Sequence, residues 1–223
     1  MKSLFKVMLI LALGFASTFI FLKLAGILSL ADISRWLEQA SALPHGYLFA
    51  LVIGLLFLDL FIAMPTLTII ILSGYFLGFS QGALAASTGL LLAGLGGYIL
   101  SQYFGQPFVR LLIRDPAKRT EMIDGFDRYG AMMILLSRAM PILPEVSACM
   151  AGLTKMPFWR FLGIWIASAV PYATIAAYAG SFSTLQNPKP AILTAVGLSV
   201  FFWLGWYLFT KQQRKASSLS NGA

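Results

Sequence analysis

The sequence predicts an all-α polytopic membrane protein: an inverted repeat of re-entrant hairpin plus transmembrane helix, flanked by N- and C-terminal transmembrane helices. Three observations predict it. Of 223 residues, 59% are hydrophobic and only 11% charged, where a soluble domain carries about 25% charge. Mean hydropathy is +0.82, and several apolar runs approach the ~20 residues that a helix needs to cross a bilayer. Two interrupted apolar runs also resemble each other.

The runs follow in order. Residues 1–30 read as an N-terminal transmembrane helix, with Val7–Leu22 as its apolar centre. The basic start fits a signal peptide too, but apolar character resumes after Lys23, which favours a retained helix. Residues 31–43 read as an interfacial amphipathic helix. A first hairpin covers 47–79, broken near Asp59 and Pro65 into halves too short to span. Residues 82–104 form a full-length helix with small residues for close packing. Nine of the 24 charges fall in 106–130, which reads as a cytoplasmic segment. A second hairpin covers 131–153, interrupted by Arg138, Pro141, Pro144 and Glu145. Helix 158–180 follows, then a C-terminal transmembrane helix at 183–210. The basic, Ser-rich tail at 211–223 reads as cytoplasmic and unstructured.

Charge sets the orientation. With both termini in the cytoplasm and two hairpins that return to the side they entered, 12 of 16 basic residues face the cytoplasm. Lys23, Arg35 and Lys189 lie outside, and Arg138 lies within the membrane. That asymmetry is what the positive-inside rule demands. The net charge of +8 is therefore an orientation signal with anionic headgroups as partner, and not the mark of a nucleic-acid binder. Two full spans in place of each hairpin give the same parity.

In the first unit Asp59 precedes Pro65 by six residues, then come Gly74 and a long helix ending at Gly105. In the second unit Arg138 precedes Pro144 by six, then come Gly152 and a long helix ending at Gly180. Like units of opposite orientation are a transporter construction, with the site where the broken helices meet. Pro65, Pro141, Pro144 and Pro171 read as helix breakers, and Gly74 and Gly152 as partners in those breaks. Asp59, Arg138 and Glu145 become the candidate substrate or ion pathway, because an intramembrane charge is costly unless paired or hydrated. A structural salt bridge between the units is the competing account. Glu145 serves either as a proton carrier or as a partner neutralised by Arg138.

Other residues have plainer roles. His45 has no Cys or His neighbour that would make a metal site, and Cys149 packs among small residues. No cofactor loop, nucleophile elbow or dinucleotide fingerprint occurs, so neither a cofactor nor an enzyme is expected. Trp203, Trp206 and Tyr207 beside the basic tail read as an interfacial aromatic belt.

The stretch LSRAMPILPEVSACMAGLTKMPFWRF (136–161) resembles the DedA superfamily, also called the VTT-domain or SNARE-associated Golgi protein family, through Arg138, Pro141, Pro144, Gly152, Leu153, Phe158 and Phe161. Pro65 to Gly74 with Tyr75 and Gly78, then GGYILSQYFG ending at Gly105, resembles the family's first half. The pattern is more similar to the yeast Golgi-type and related bacterial branch than to DedA proper. DedA proper carries Arg–x–x–Pro–x–x–Arg; here the second arginine position is Pro144, followed by Glu145. The resemblance implies two oppositely oriented re-entrant hairpins, a bacterial inner-membrane location and movement of lipids between leaflets, with a homo-oligomer allowed. The function expected is a lipid translocase for a phosphate-bearing lipid such as a polyprenyl phosphate or phospholipid. A small-ion or solute transporter and a non-transporting membrane-organisation factor are the alternatives.

Overall fold

The computed structural model describes residues 43–220 apart from 63, 113–114, 141 and 185–188. The N-terminal helix at 1–30, the amphipathic stretch up to residue 42 and Pro141 lie outside the described residues. What is described is all helical. The elements are α1 (His45–Leu58), α2 (Thr66–Leu112), α3 (Pro116–Leu136), a 3-10 turn (Ser137–Ala139), α4 (Leu143–Leu153), α5 (Phe158–Ser181) and α6 (Lys189–Ser220). Among the described residues, three stretches are long and apolar enough to cross a membrane: Thr66–Gly105, Phe158–Ser181 and Lys189–Phe209. α1 and α4 are apolar but shorter. At 1.5 Å per residue they reach about 21 and 16 Å, against a hydrocarbon core of about 30 Å.

The bend in the first apolar unit lies at Gly78 and not at Gly74. Gly78 holds φ 76°, ψ 172° inside α2, a backbone region closed to residues with a Cβ. The chain folds back sharply there. A Cβ on Gly82 would strike the backbone of Ser73 and Gly74, although a straight helix would hold residues 73 and 82 about 13 Å apart. The buried Ser73 hydroxyl shares its one proton between the Ile70 carbonyl of its own turn (2.7 Å) and the Gly82 carbonyl (3.1 Å), stitching the bend closed. Gly74 instead sits within a helical arm, 66–77, and Gly152 within the last turn of α4.

Both glycines mark the closest helix crossings. A side chain on Gly74 would run into the Ala177 backbone of α5, and one on Gly180 into Ile71 of α2. A side chain on Gly152 would meet the Tyr98 carbonyl of α2. Thus the arm before Gly78 packs on α5, while α4 packs on the arm after it. α1 closes on the same long arm, where Gly89 seats Leu56 and the Ile53 backbone. With no hydrophobic force between helices in lipid, such close backbone approach supplies the packing energy. The core joins α1, α2, α4 and α5 around Leu56, Ile70, Ala85, Val146, Met150, Phe161 and Trp165.

Two further features, Pro171 and the tail, depart from the expectation, and the charged segment 106–130 takes a form the sequence left open. The charged segment 106–130 is largely helical: α2 runs on to Leu112, and α3 starts at Pro116, capped by Asp115, whose carboxylate accepts the Ala117 N–H (3.0 Å). α3 then continues into the apolar run, burying Met122, Phe126, Met133 and Ile134 while Glu121, Asp124, Asp127 and Arg128 face outward. Pro171 does not break a helix; it lies exposed inside an uninterrupted α5. α6 continues beyond Phe209 to Ser220, so the tail is helical through that point. At the other end of the second unit, α4 closes with the Met156 N–H on the Ala151 carbonyl (2.9 Å) and Lys155 at φ 56°, the left-handed cap that usually takes glycine.

Enlarging a crossing glycine must push two helices apart. Gly74→Ala and Gly152→Ala are each expected to destabilise by about 1–3 kcal/mol. Gly163→Ala, in open space on α5, is expected to be neutral or slightly stabilising. Thermal unfolding of the detergent-solubilised variants measures the difference.

Candidate functional site

Asp59, Arg138 and Glu145 all line one cavity of about 420 Å³. Each reaches it from an interruption in a helix. Asp59 is the C-cap of α1, and only 4% of it is exposed. Its Oδ1 accepts the Met64 N–H (2.7 Å) and its Oδ2 accepts the Thr66 hydroxyl (2.5 Å). The carboxylate therefore closes the loop of residues 59–65 and ties it to the first turn of α2. A carboxylate at a helix N terminus is favoured twice, by hydrogen bonds to free donors and by the helix dipole. Pro65 directly precedes that helix, a position where a missing N–H does no harm.

Arg138 sits in the 3-10 turn after α3. Trp165 and Tyr172 of α5 present their rings to its guanidinium, with centroids 5.2 and 5.3 Å from the central carbon. Both distances fall within cation–π range. The guanidinium also faces Glu145 and Asp59 electrostatically. Even so, Nε and Nη2 are buried and have no hydrogen-bond partner. These two nitrogens form a single edge of the guanidinium, the pair of parallel donors that grips two oxygens of one carboxylate or phosphate. A buried donor left unmatched costs about 1–3 kcal/mol, more when charged, and this edge has the geometry to receive two oxygens of one anion.

Glu145 lies in the first turn of α4, behind Ile142 and Pro144. Its carboxyl faces Asp59 and Arg138 electrostatically across the cavity that all three line. Ile142 opens α4 in the left-handed conformation, φ 78°, which costs a β-branched residue about 1–2 kcal/mol. Strain of this kind collects at functional sites, and Ile142 lines the cavity. The start of α2 (Pro65 to Thr68) and the start of α4 thus border one space, each with the free N–H groups of a helix N terminus.

All three charged candidates from the sequence meet here, with Pro65 and Pro144 beside them, whereas Gly74 and Gly152 serve helix packing elsewhere. Sequence reasoning missed Thr66, Ile142, Trp165, Tyr172 and Ser199 of α6, which also borders the cavity. Trp165 and Tyr172 carried a usable signal: seven residues apart, they share one helix face, and each brings a polar atom to an apolar run.

The Thr66 hydroxyl is a test of this geometry. Thr66→Val leaves Asp59 Oδ2 without its donor and is expected to destabilise by about 1–3 kcal/mol, while Thr66→Ser restores most of the loss. Chemical unfolding in micelles reads both.

Comparison with known proteins bears on the same region. Residues 64–182 match the VTT domain model, 119 of the 223 positions. The chain is also 26% identical over 110 residues to undecaprenyl phosphate transporter A of Bacillus subtilis (strain 168). That alignment takes in 47% of this chain and 54% of the transporter, so the chain spans about half the length of this relative. No solved structure matches. The matched segment begins at Met64 and ends at Phe182, enclosing Arg138, Glu145 and both helix N termini at the cavity, and the chain belongs to the VTT-domain (DedA) family of integral membrane proteins.

Proposed function

We propose that this protein moves a phosphate-bearing lipid, a polyprenyl phosphate or a phospholipid, between the leaflets of a bacterial inner membrane. The observation that carries the reading is the open Nε–Nη2 edge of Arg138, set in a cavity between helices of membrane length. A phosphate supplies two oxygens at the spacing that edge requires. The name of the Bacillus relative, an undecaprenyl phosphate transporter, supports the choice of phosphate over carboxylate.

The remaining groups have roles in the same cycle. Arg138 draws the anionic headgroup in, and the N termini of α2 and α4 add their dipoles. Asp59 and Glu145 oppose that charge unless they hold protons. With one shared proton, the two carboxyls and Arg138 are neutral in sum. Arrival of a phosphate monoanion adds one negative charge, which a second proton on the pair cancels. Headgroup passage is thereby linked to proton uptake, and the acyl or prenyl tail stays in the bilayer.

In this reading α1 with the arm 66–77, and the end of α3 from residue 131 with α4, are re-entrant hairpins of opposite orientation, with both termini cytoplasmic. Support comes from the short reach of α1 and α4 and from the mirrored seating of Gly74 and Gly152 on the other unit's long helix. Glu145 following Pro144, where DedA proper has a second arginine, supports grouping the chain with the Golgi-type and related bacterial branch. Anionic headgroups on the cytoplasmic side are its further partners, and assembly as a homo-oligomer is compatible with this arrangement.

Reconstitution in liposomes tests the reading. Fluorescent polyprenyl phosphate and ordinary phospholipids are followed by their accessibility in the outer leaflet. Wild type is expected to move at least one phosphate-bearing lipid, and Arg138→Gln to slow it about tenfold or more, the loss of a charge-assisted pair of hydrogen bonds. If every lipid stays on its leaflet under all ion gradients while a water-soluble anion passes, the protein is a solute transporter and the proposal fails.

A further inference from the structure

Arg138 keeps its open edge because something else holds the side chain. Trp165 is the residue best placed to do this. It does not line the cavity, and it is 3% exposed. Its indole Nε1–H donates to the Leu90 carbonyl of α2 (3.0 Å), a bond that ties α5 to the neighbouring helix. The same ring rests on Gly94, where any Cβ would collide with the indole. Phe161, one turn earlier on α5, packs against it with ring centroids 5.5 Å apart. An indole fixed by one hydrogen bond, one glycine seat and one neighbouring ring has no freedom to turn.

A guanidinium is held without hydrogen bonds when aromatic faces cover it, because the attraction to a ring uses the charge and leaves the N–H groups free. A carboxylate in the same place would occupy the edge that a ligand needs. We propose that Trp165 is a positioning residue for anion recognition: seated on Gly94 and anchored to Leu90, it holds Arg138 through cation–π contact so that the Nε–Nη2 edge stays free for a phosphate. Tyr172 provides the second ring but borders the cavity itself, whereas Trp165 has no place in the cavity lining and reaches a bound anion only through Arg138. The inference rests on reading the cavity as a phosphate site and adds how that site is kept ready.

The full-length protein in nanodiscs, titrated with dodecyl phosphate, separates positioning from structure. Wild type, Trp165→Leu, Arg138→Gln and the double variant form a cycle. Trp165→Leu is expected to weaken binding about tenfold, yet to add nothing to the residual, tail-driven binding of Arg138→Gln. Equal weakening in both backgrounds, or unchanged affinity with only a lower unfolding temperature, would overturn the positioning role. Binding that Arg138→Gln leaves untouched overturns the phosphate site itself, and the two failures are thereby distinguishable. If Trp165→Leu does not fold, Trp165→Phe replaces it: the ring remains but the Leu90 anchor is gone. An expected loss of about two- to threefold, seen only in protein that retains Arg138, supports the proposal. The same loss in the Arg138→Gln background contradicts it.

Discussion

Everything at the centre of this fold answers to one constraint, the presence of a guanidinium among apolar helices. A charged group buried in apolar surroundings costs several kcal/mol unless protein supplies compensating groups. Here the compensation is divided. Two aromatic rings cover Arg138, two carboxyls face it electrostatically, and one hydrogen-bonding edge remains unmatched. A purely structural arginine would have that edge filled, since leaving it open forfeits stability for no return within the fold. The unmatched edge is the reason to regard the cluster as a binding site and not only as a tie between helices.

The rest of the molecule places these groups and keeps them in place. Asp59 is fixed by closing the loop between α1 and α2 through Met64 and Thr66. Glu145 is fixed by the start of α4, which the chain enters through the strained Ile142. Both starts are held by close crossings: Gly74 on α5 for α2, and Gly152 on α2 for α4. The two crossings have the same form, a short helix seated through one glycine on a long helix of the other unit. Backbones meet there without intervening side chains, which leaves no room for a larger residue at either glycine.

Much of this was legible in the sequence, and the reason is energetic. Asp59, Arg138 and Glu145 stood out because little else inside the apolar runs is charged, and the high cost of burial leaves few reasons for such residues to exist. The matched six-residue spacing of Asp59 from Pro65 and of Arg138 from Pro144 set those two at like points of the two apolar segments. The bend was harder to place. Gly74 and Gly78 look equivalent in sequence, and only packing distinguishes the glycine that lets a neighbour approach from the one that takes a positive φ. Pro171 misled for a related reason: a proline on an exposed helix face is tolerated when the helix is clamped along its other side, as α5 is. The continuity of α3 was hidden by composition, because its outward charges masked the buried stripe of Met122, Phe126, Met133 and Ile134. Trp165 gave only a partial signal, its spacing from Tyr172, since its surroundings at Gly94 and Leu90 belong to another helix.

The most direct test of the central claim is whether a lipid phosphate sits on the open edge of Arg138. Solid-state NMR can measure dipolar coupling between ¹⁵N-labelled arginine side chains and the ³¹P of a bound polyprenyl phosphate in the reconstituted full chain. With two N–H···O bonds of about 2.7–2.9 Å, the account predicts strong nitrogen–phosphorus dephasing for one arginine, lost in Arg138→Lys. Bound lipid without that coupling, or coupling unchanged by the substitution, would contradict it.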